Sequence, residues 1–122
     1  MITYFFDTYA FYEIIEANPN YKEYTKNIAI ITTKLNLMEL HYGLLLRYEK
    51  EIADRYYEEL KKFVIDISDE IFKEANKFRA SLKNRKLSYV DCIGYTIAKS
   101  RGIKFLTGDK EFRDLNNVEF VQ

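Results

Sequence analysis

Four carboxylates stand out for where they sit in the sequence. Asp7 directly follows the apolar run "ITYFF", Glu39 lies inside "LNLMELHYGLLLRY", Asp91 comes three residues after Ser88, and Asp109 follows "IKFLTG". Three of them have an ordinary structural reading. Asp7 and Asp109 are placed to cap a following helix, the latter a short one over 110–115 with Gly108 supplying the turn. Ser88 to Asp91 fits a capping box. Glu39 resists such a reading, because it falls one helical turn after Leu35 and one before Tyr42, at the border of an apolar face. An ionised carboxylate there is costly unless something compensates it. Brought together at one end of a sheet, four carboxylates repel one another and raise each other's pKa values unless cations neutralise them. Mg²⁺ or Mn²⁺ answers that need, since a hard divalent ion accepts carboxylate and water ligands and leaves positions open for phosphate oxygens. Such a site activates water for in-line attack on phosphorus and stabilises the leaving oxygen, which is phosphodiester hydrolysis. Thr107 offers a hydroxyl to a carboxylate or a coordinated water, and reads equally as a strand-end Thr.

The elements that must position these residues are short β-rich runs alternating with longer stretches of helical period. The runs are "ITYFF" (2–6), "IAIIT" (28–32), "FVIDI" (63–67), "IKFL" (103–106) and "VEFV" (118–121). Between them, Leu35, Met38, Tyr42 and Leu45 share one helical face, as do Val90, Ile93, Gly94, Ile97 and Ala98. Asn18-Pro19-Asn20 marks a break after the first helix. Strand–helix alternation predicts an α/β fold with a mostly parallel, five-stranded sheet flanked by helices on both faces. Such sheets bind ligands beyond the carboxyl ends of their strands, where the strand order reverses, and Asp7 is at such an end.

Composition narrows the possibilities. A chain of 122 residues, 48% apolar and 31% charged, fits one compact domain over 1–122. No apolar run is long enough to span a bilayer, and no basic segment with a cleavage site opens the chain, so a soluble, cytoplasmic protein is expected. One cysteine, Cys92, and one histidine, His41, exclude an internal disulfide framework and a Cys/His zinc site. Both read as structural residues, because neither has a base or nucleophile partner in the pattern. Nineteen basic residues balance nineteen acidic ones, so nucleic-acid binding would have to be local rather than a property of the whole surface. Abundant Lys, Glu, Ile and Tyr with little Gly or Pro suits a heat-adapted protein.

Four motifs in this order resemble the PIN-domain ribonucleases, most closely the VapC-type toxins of VapBC toxin–antitoxin systems. They are "FFDTYAF", "TTKLNLMELHYG", "LSYVDCIGYTIAKSRG" and "IKFLTGDKEFRDL", and together they cover essentially the whole chain. The resemblance implies a PIN-like domain in which Asp7, Glu39, Asp91 and Asp109 bind one or two Mg²⁺ or Mn²⁺ ions and cleave RNA. It also implies inhibition by a small antitoxin wrapped over the active-site face, and a homodimer. Tyr9 departs from the pattern, since these toxins often carry a small polar residue two positions after the first Asp.

Local basic residues fit a nucleic-acid substrate. Lys83, Arg85 and Lys86 precede the third acidic motif, and with Arg79 and Lys110 they can meet phosphates flanking the scissile bond. They also read as a solvated helix end. Some of the 11 Tyr and 9 Phe, such as Tyr9, Phe11 and Tyr12 beside Asp7, could stack on bases or form a groove for a partner helix. The leading expectation is a metal-dependent endoribonuclease toxin. A housekeeping RNA-processing nuclease and a non-catalytic RNA- or protein-binding domain are the alternatives. An aspartyl-phosphate receiver is disfavoured, because Asp7 stands alone after the first strand and Asp66 lies within its run.

Overall fold

The computed structural model describes residues 1–122. Its centre is strand β1 (Ile2–Phe6), which pairs in parallel with β2 (Ile28–Ile31) on one side and β3 (Lys104–Thr107) on the other. Strand β4 (Val118–Phe120) pairs in parallel with β3, giving the order β2-β1-β3-β4. The sheet therefore has four strands, all parallel, where the sequence predicted five. The run 63–67 contributes a single parallel bridge, Val64 with Thr32, through Thr32 N–H to the Phe63 carbonyl and Ile65 N–H to the Thr32 carbonyl. A 3-10 turn over Lys61–Phe63 delivers the chain to that edge, and only one residue pairs.

Helices α1 (Thr8–Ile15), α2 (Lys34–Arg47), α3 (Lys50–Leu60), α4 (Asp69–Ser81) and α5 (Tyr89–Ser100) complete the α/β layers. The pleat explains the division of the core, because alternate strand residues point to opposite faces. Tyr4, Phe6 and Leu106 pack with Ala10, Phe11, Leu40, Leu44 and Ala53 of the first three helices. Phe5 and Phe105 face the other way, against Ala75, Ile93, Ile97 and Ala98 of α4 and α5. Gly94 lets α5 come close to the sheet, since a Cβ there would lie 2.7 Å from the Phe5 ring and 3.0 Å from that of Phe105.

Helix α2 turns differently from the sequence reading. Leu37, Leu40 and Leu44 form its buried row, whereas Met38, Tyr42, Leu45 and Leu46 are exposed. The helix carries two apolar rows, and the one beside the buried Asn36 faces the sheet. The predicted helix over 110–115 is a 3-10 turn, Lys110–Phe112. After α1, Asn18 caps a 3-10 segment over Pro19–Tyr24 by accepting from the Asn20 N–H, so the expected break is present. No helix is long and apolar enough to cross a membrane.

Candidate active site

The strand order reverses between β1 and β3: the connection from β1 leads to β2 on one side, and the next returns past β1 to β3. Ligand sites of open parallel sheets lie at such a crevice. Asp7 follows the last residue of β1, and its N–H continues the ladder to the Leu106 carbonyl at 3.1 Å. Thr107 ends β3, and its hydroxyl donates to Asp7 Oδ2 at 2.7 Å. Both side chains are buried. Asp7 opens α1 through its backbone conformation, but its side chain makes no capping hydrogen bond. The cap reading of this residue therefore fails.

Asp91 and Asp109 do serve as caps. Asp91 Oδ2 accepts from the Ser88 N–H at 3.0 Å while Ser88 Oγ accepts from the Asp91 N–H, a complete capping box. Asp109 Oδ1 accepts from the Glu111 N–H at 3.0 Å. Glu39 is held differently, as Oε1 accepts from the Thr8 hydroxyl at 2.8 Å. In each of the four carboxylates one oxygen has a hydrogen-bond donor and the other has none. No basic side chain pairs with any of them.

The electrostatics show that the four acids share one region. Burial pushes the Asp7 carboxyl up to about 8; Asp91 and, more weakly, Glu39 add to the rise, while the Thr107 hydroxyl opposes it. Asp91 is pushed up to about 6 by burial, with Asp109 and Glu39 adding and Ser88 opposing. Like charges with no cation between them disfavour ionisation and add to the larger effect of burial. The side chains stand far enough apart that no three acids converge at metal-ligand distance. The donor set nevertheless suits a hard divalent ion: four carboxylates, each with a free oxygen, and no competing cation.

Sequence reasoning missed the polar chain behind Glu39. The Thr33 hydroxyl donates to Asn36 Oδ1 at 2.7 Å, Asn36 Nδ2 donates to Thr8 Oγ1 at 3.1 Å, and Thr8 passes its proton-donating bond to Glu39. Thr8, Thr33 and Asn36 are all buried. The available signal was Asn36, a polar residue one turn before Glu39 in the row that also holds Leu40 and Leu44.

The remaining candidates fall around this centre. Lys83, Lys86 and Lys110 are exposed and make no ion pair. Arg85 is committed to Asp114 by two 2.7 Å hydrogen bonds and to the Glu111 carbonyl, which pins the 82–88 loop to the segment after β3. Arg79 donates through Nε to the Leu87 carbonyl. Tyr9 is half-buried against Gly108, where a Cβ would meet its ring at 2.3 Å. His41 bonds Asp54 at 2.7 Å and stands edge-on to Tyr57, linking α2 to α3. Cys92 is fully buried, and burial pushes its thiol up to about 11, ruling out a thiolate nucleophile.

A family model described as the PIN domain matches residues 4–118. The chain belongs to the PIN-domain family. Solved structures with the PIN fold include VapC20 of Mycobacterium tuberculosis, described as a sarcin–ricin loop cleaving toxin, which is 18% identical, with a TM-score of 0.79 and 98% of this chain and 99% of that one covered. VapBC2 of Rickettsia felis, bound to a promoter DNA fragment, is 20% identical, with a TM-score of 0.75 and coverage of 99% and 100%. A toxin–antitoxin complex from Klebsiella pneumoniae is 20% identical, with a TM-score of 0.74 and 94% of each chain covered. Comparison with curated protein sequences gives no match. At these identities the PIN structures establish the shared fold.

Proposed function

We propose that this PIN domain is a Mg²⁺- or Mn²⁺-dependent endoribonuclease that hydrolyses RNA phosphodiester bonds, and that it is the toxin of a toxin–antitoxin pair. One observation carries the nuclease reading. Four carboxylates lie within one region at the switch point of a parallel sheet, close enough that neighbouring charges add to the raised pKa values of Asp7 and Asp91, each steadied by one hydrogen bond, each with one oxygen free, and none neutralised by a basic side chain. Asp7, Glu39, Asp91 and Asp109 would hold the ion. When bound, a divalent cation supplies water activation and charge neutralisation at phosphorus.

The chain's own groups prepare the site. Thr107 fixes the rotamer of Asp7 and favours its ionised form. Thr8 does the positional part of that work for Glu39, and the two caps fix Asp91 and Asp109 on the first turns of α5 and the 3-10 segment. Lys83, Lys86 and Lys110 are free to meet phosphates of a bound strand, since none is engaged by an acid.

The toxin reading draws on the fold shared with a described toxin and with toxin–antitoxin complexes. It is supported by the exposed row Met38, Tyr42, Leu45 and Leu46, which gives the helix carrying Glu39 an apolar outer surface suited to a small antitoxin. We infer a homodimer from the same family resemblance. The test is cleavage of a mixed RNA pool by purified protein in Mg²⁺, in Mn²⁺ and in EDTA, beside Asp7→Asn prepared identically. Cleavage that requires the metal and vanishes in the variant is expected; cleavage in EDTA, or full activity of Asp7→Asn, overturns the proposal.

A further inference from the structure

Beside the acidic centre, where the end of α4 meets the start of α5, lies a cleft of about 360 Å³ lined by Asn76, Arg79, Ala80, Lys83, Arg85 and Tyr89. No carboxylate lines it. Its volume is at the low end for small-ligand sites, the size of one nucleotide rather than of an extended ligand. Arg85 forms one wall but is neutralised by Asp114. The working groups are therefore Arg79, Lys83 and Tyr89.

Their state is unlike that of the lysines on α4. Lys73 and Lys77 pair with Glu70 and Glu74 one turn before them. Arg79, in the last turn of α4, and Lys83, two residues past its end, pair with no acid. Nor is Arg79 merely solvated. Its Nε bonds the Leu87 carbonyl at 3.0 Å, and its guanidinium lies 4.1 Å from the centroid of the Tyr89 ring. Two contacts thus fix the guanidinium while its terminal nitrogens keep their hydrogen-bond capacity. Tyr89 is 58% exposed although it belongs to a helix whose other large apolar side chains are buried. A ring held in place by a cation and open to solvent is a stacking platform.

The platform is tied to the acidic site by the chain itself. Tyr89 and Asp91 share the first turn of α5, about 3 Å apart along the helix axis and on opposite sides of it. A strand that presents a phosphate to Asp91 and crosses the start of α5 reaches the Tyr89 cleft with a neighbouring nucleotide.

We infer that this cleft binds one nucleotide of single-stranded RNA next to the cleaved phosphate, with its base stacked on Tyr89 and its phosphate held by Arg79 and Lys83. The strand is single because a paired base has no free face to offer. The inference rests on the nuclease reading for the identity of the polymer, but its test does not depend on cleavage.

The test is equilibrium binding of a short fluorescent single-stranded RNA to the full chain in EDTA, followed by anisotropy, with an abasic strand of the same length as control. Tyr89→Ala is expected to weaken binding of the normal strand about tenfold and to leave the abasic strand unchanged. Tyr89→Phe keeps the ring and binds within about twofold of the unmodified chain. Lys83→Ala weakens both strands and lowers the salt dependence by about one counterion. Both positions are at the surface, and circular dichroism checks that the variants are folded. Unchanged RNA affinity in Tyr89→Ala, equal loss in Tyr89→Phe, equal loss on the abasic strand, or no binding by the unmodified chain overturns the inference. Metal-dependent cleavage with unaltered binding in Tyr89→Ala sinks the cleft alone; ring-dependent binding with no cleavage in any metal sinks the nuclease alone.

Discussion

Thr107 and Asp7, 100 residues apart in the chain, are joined by a 2.7 Å hydrogen bond across the two central strands, with the hydroxyl donating to Oδ2. The bond favours the charged carboxylate against a burial that opposes it. Thr107→Val keeps the shape and removes the donor. A hydrogen bond to a charged group contributes about 1.5–3 kcal/mol, so RNA cleavage should fall about 10- to 100-fold. The acid limb of the pH–rate profile should move to higher pH, because the lost bond held the pKa down. Thr107→Ser should restore both; single-turnover rates across pH decide it.

The raised carboxyls give the metal-free protein a definite pH dependence. Asp7 titrates near 3.8 unfolded and is pushed to about 8 when folded, so the folded state binds the extra proton between those values. Stability from this group is complete below about pH 4 and is lost as pH rises towards about 8. Asp91, pushed to about 6, adds in the same sense over the lower part of that range. Thermal unfolding in EDTA should therefore give a lower Tm near pH 8 than near pH 5, and Asp7→Asn should raise the Tm at the higher pH. Mg²⁺ or Mn²⁺ should raise it most at the higher pH, where the ligands are ionised. A Tm in EDTA that rises between those pH values contradicts this account.

Thr8 links the partly buried Glu39 to the buried Asn36, donating to the first and accepting from the second. In Thr8→Val the Asn36 amide is left without an acceptor at a fully buried position, a penalty of about 1–3 kcal/mol. For a chain of this size the Tm should fall by about 4–12 °C, and cleavage should fall further because Glu39 loses its only fixed contact. Thr8→Ser should retain both properties. Calorimetry and the cleavage assay, read together, separate the structural loss from the positional one.

Gly94 offers a check on the fold independent of the acids. An alanine Cβ would press on the rings of Phe5 and Phe105, which stack at 5.7 Å between α5 and the sheet. Overpacking of this kind costs about 1–3 kcal/mol, more than the better helix propensity of Ala returns. Chemical denaturation should show a net loss of up to about 2 kcal/mol in Gly94→Ala.

Much of the architecture is legible because parallel strands buried on both faces write themselves as short apolar runs, and β1, β2, β3 and β4 fall within a residue or so of theirs. The run 63–67 misleads for a physical reason. Its apolar residues are partly buried at the sheet edge, but the 3-10 turn before it and the exposed Asp66 within it leave one bridge in place of a ladder. In α2, periodicity finds apolar rows but cannot say which one meets the sheet; Leu37, Leu40 and Leu44 do, and the Met38–Tyr42 row stays outside. The four acids could be picked out because each sits at a strand end, a helix start or an apolar border. Thr8, Thr33 and Asn36 could not, since their role depends on a contact between α1 and α2 that no local pattern records.

The acids at the carboxyl end of the sheet divide their labour between two atoms: one oxygen serves the backbone or a neighbouring hydroxyl, and the other has no donor. Asn presents the same accepting oxygen in the same shape and differs in the second position. At Asp7, Asp91 or Asp109, a single-base codon change therefore yields a chain with its caps and strand contacts intact and its proposed ion-binding set broken. If the proposed nuclease reading holds, descendants of this protein can lose cutting without losing shape, and an inert copy with an intact surface is one substitution away.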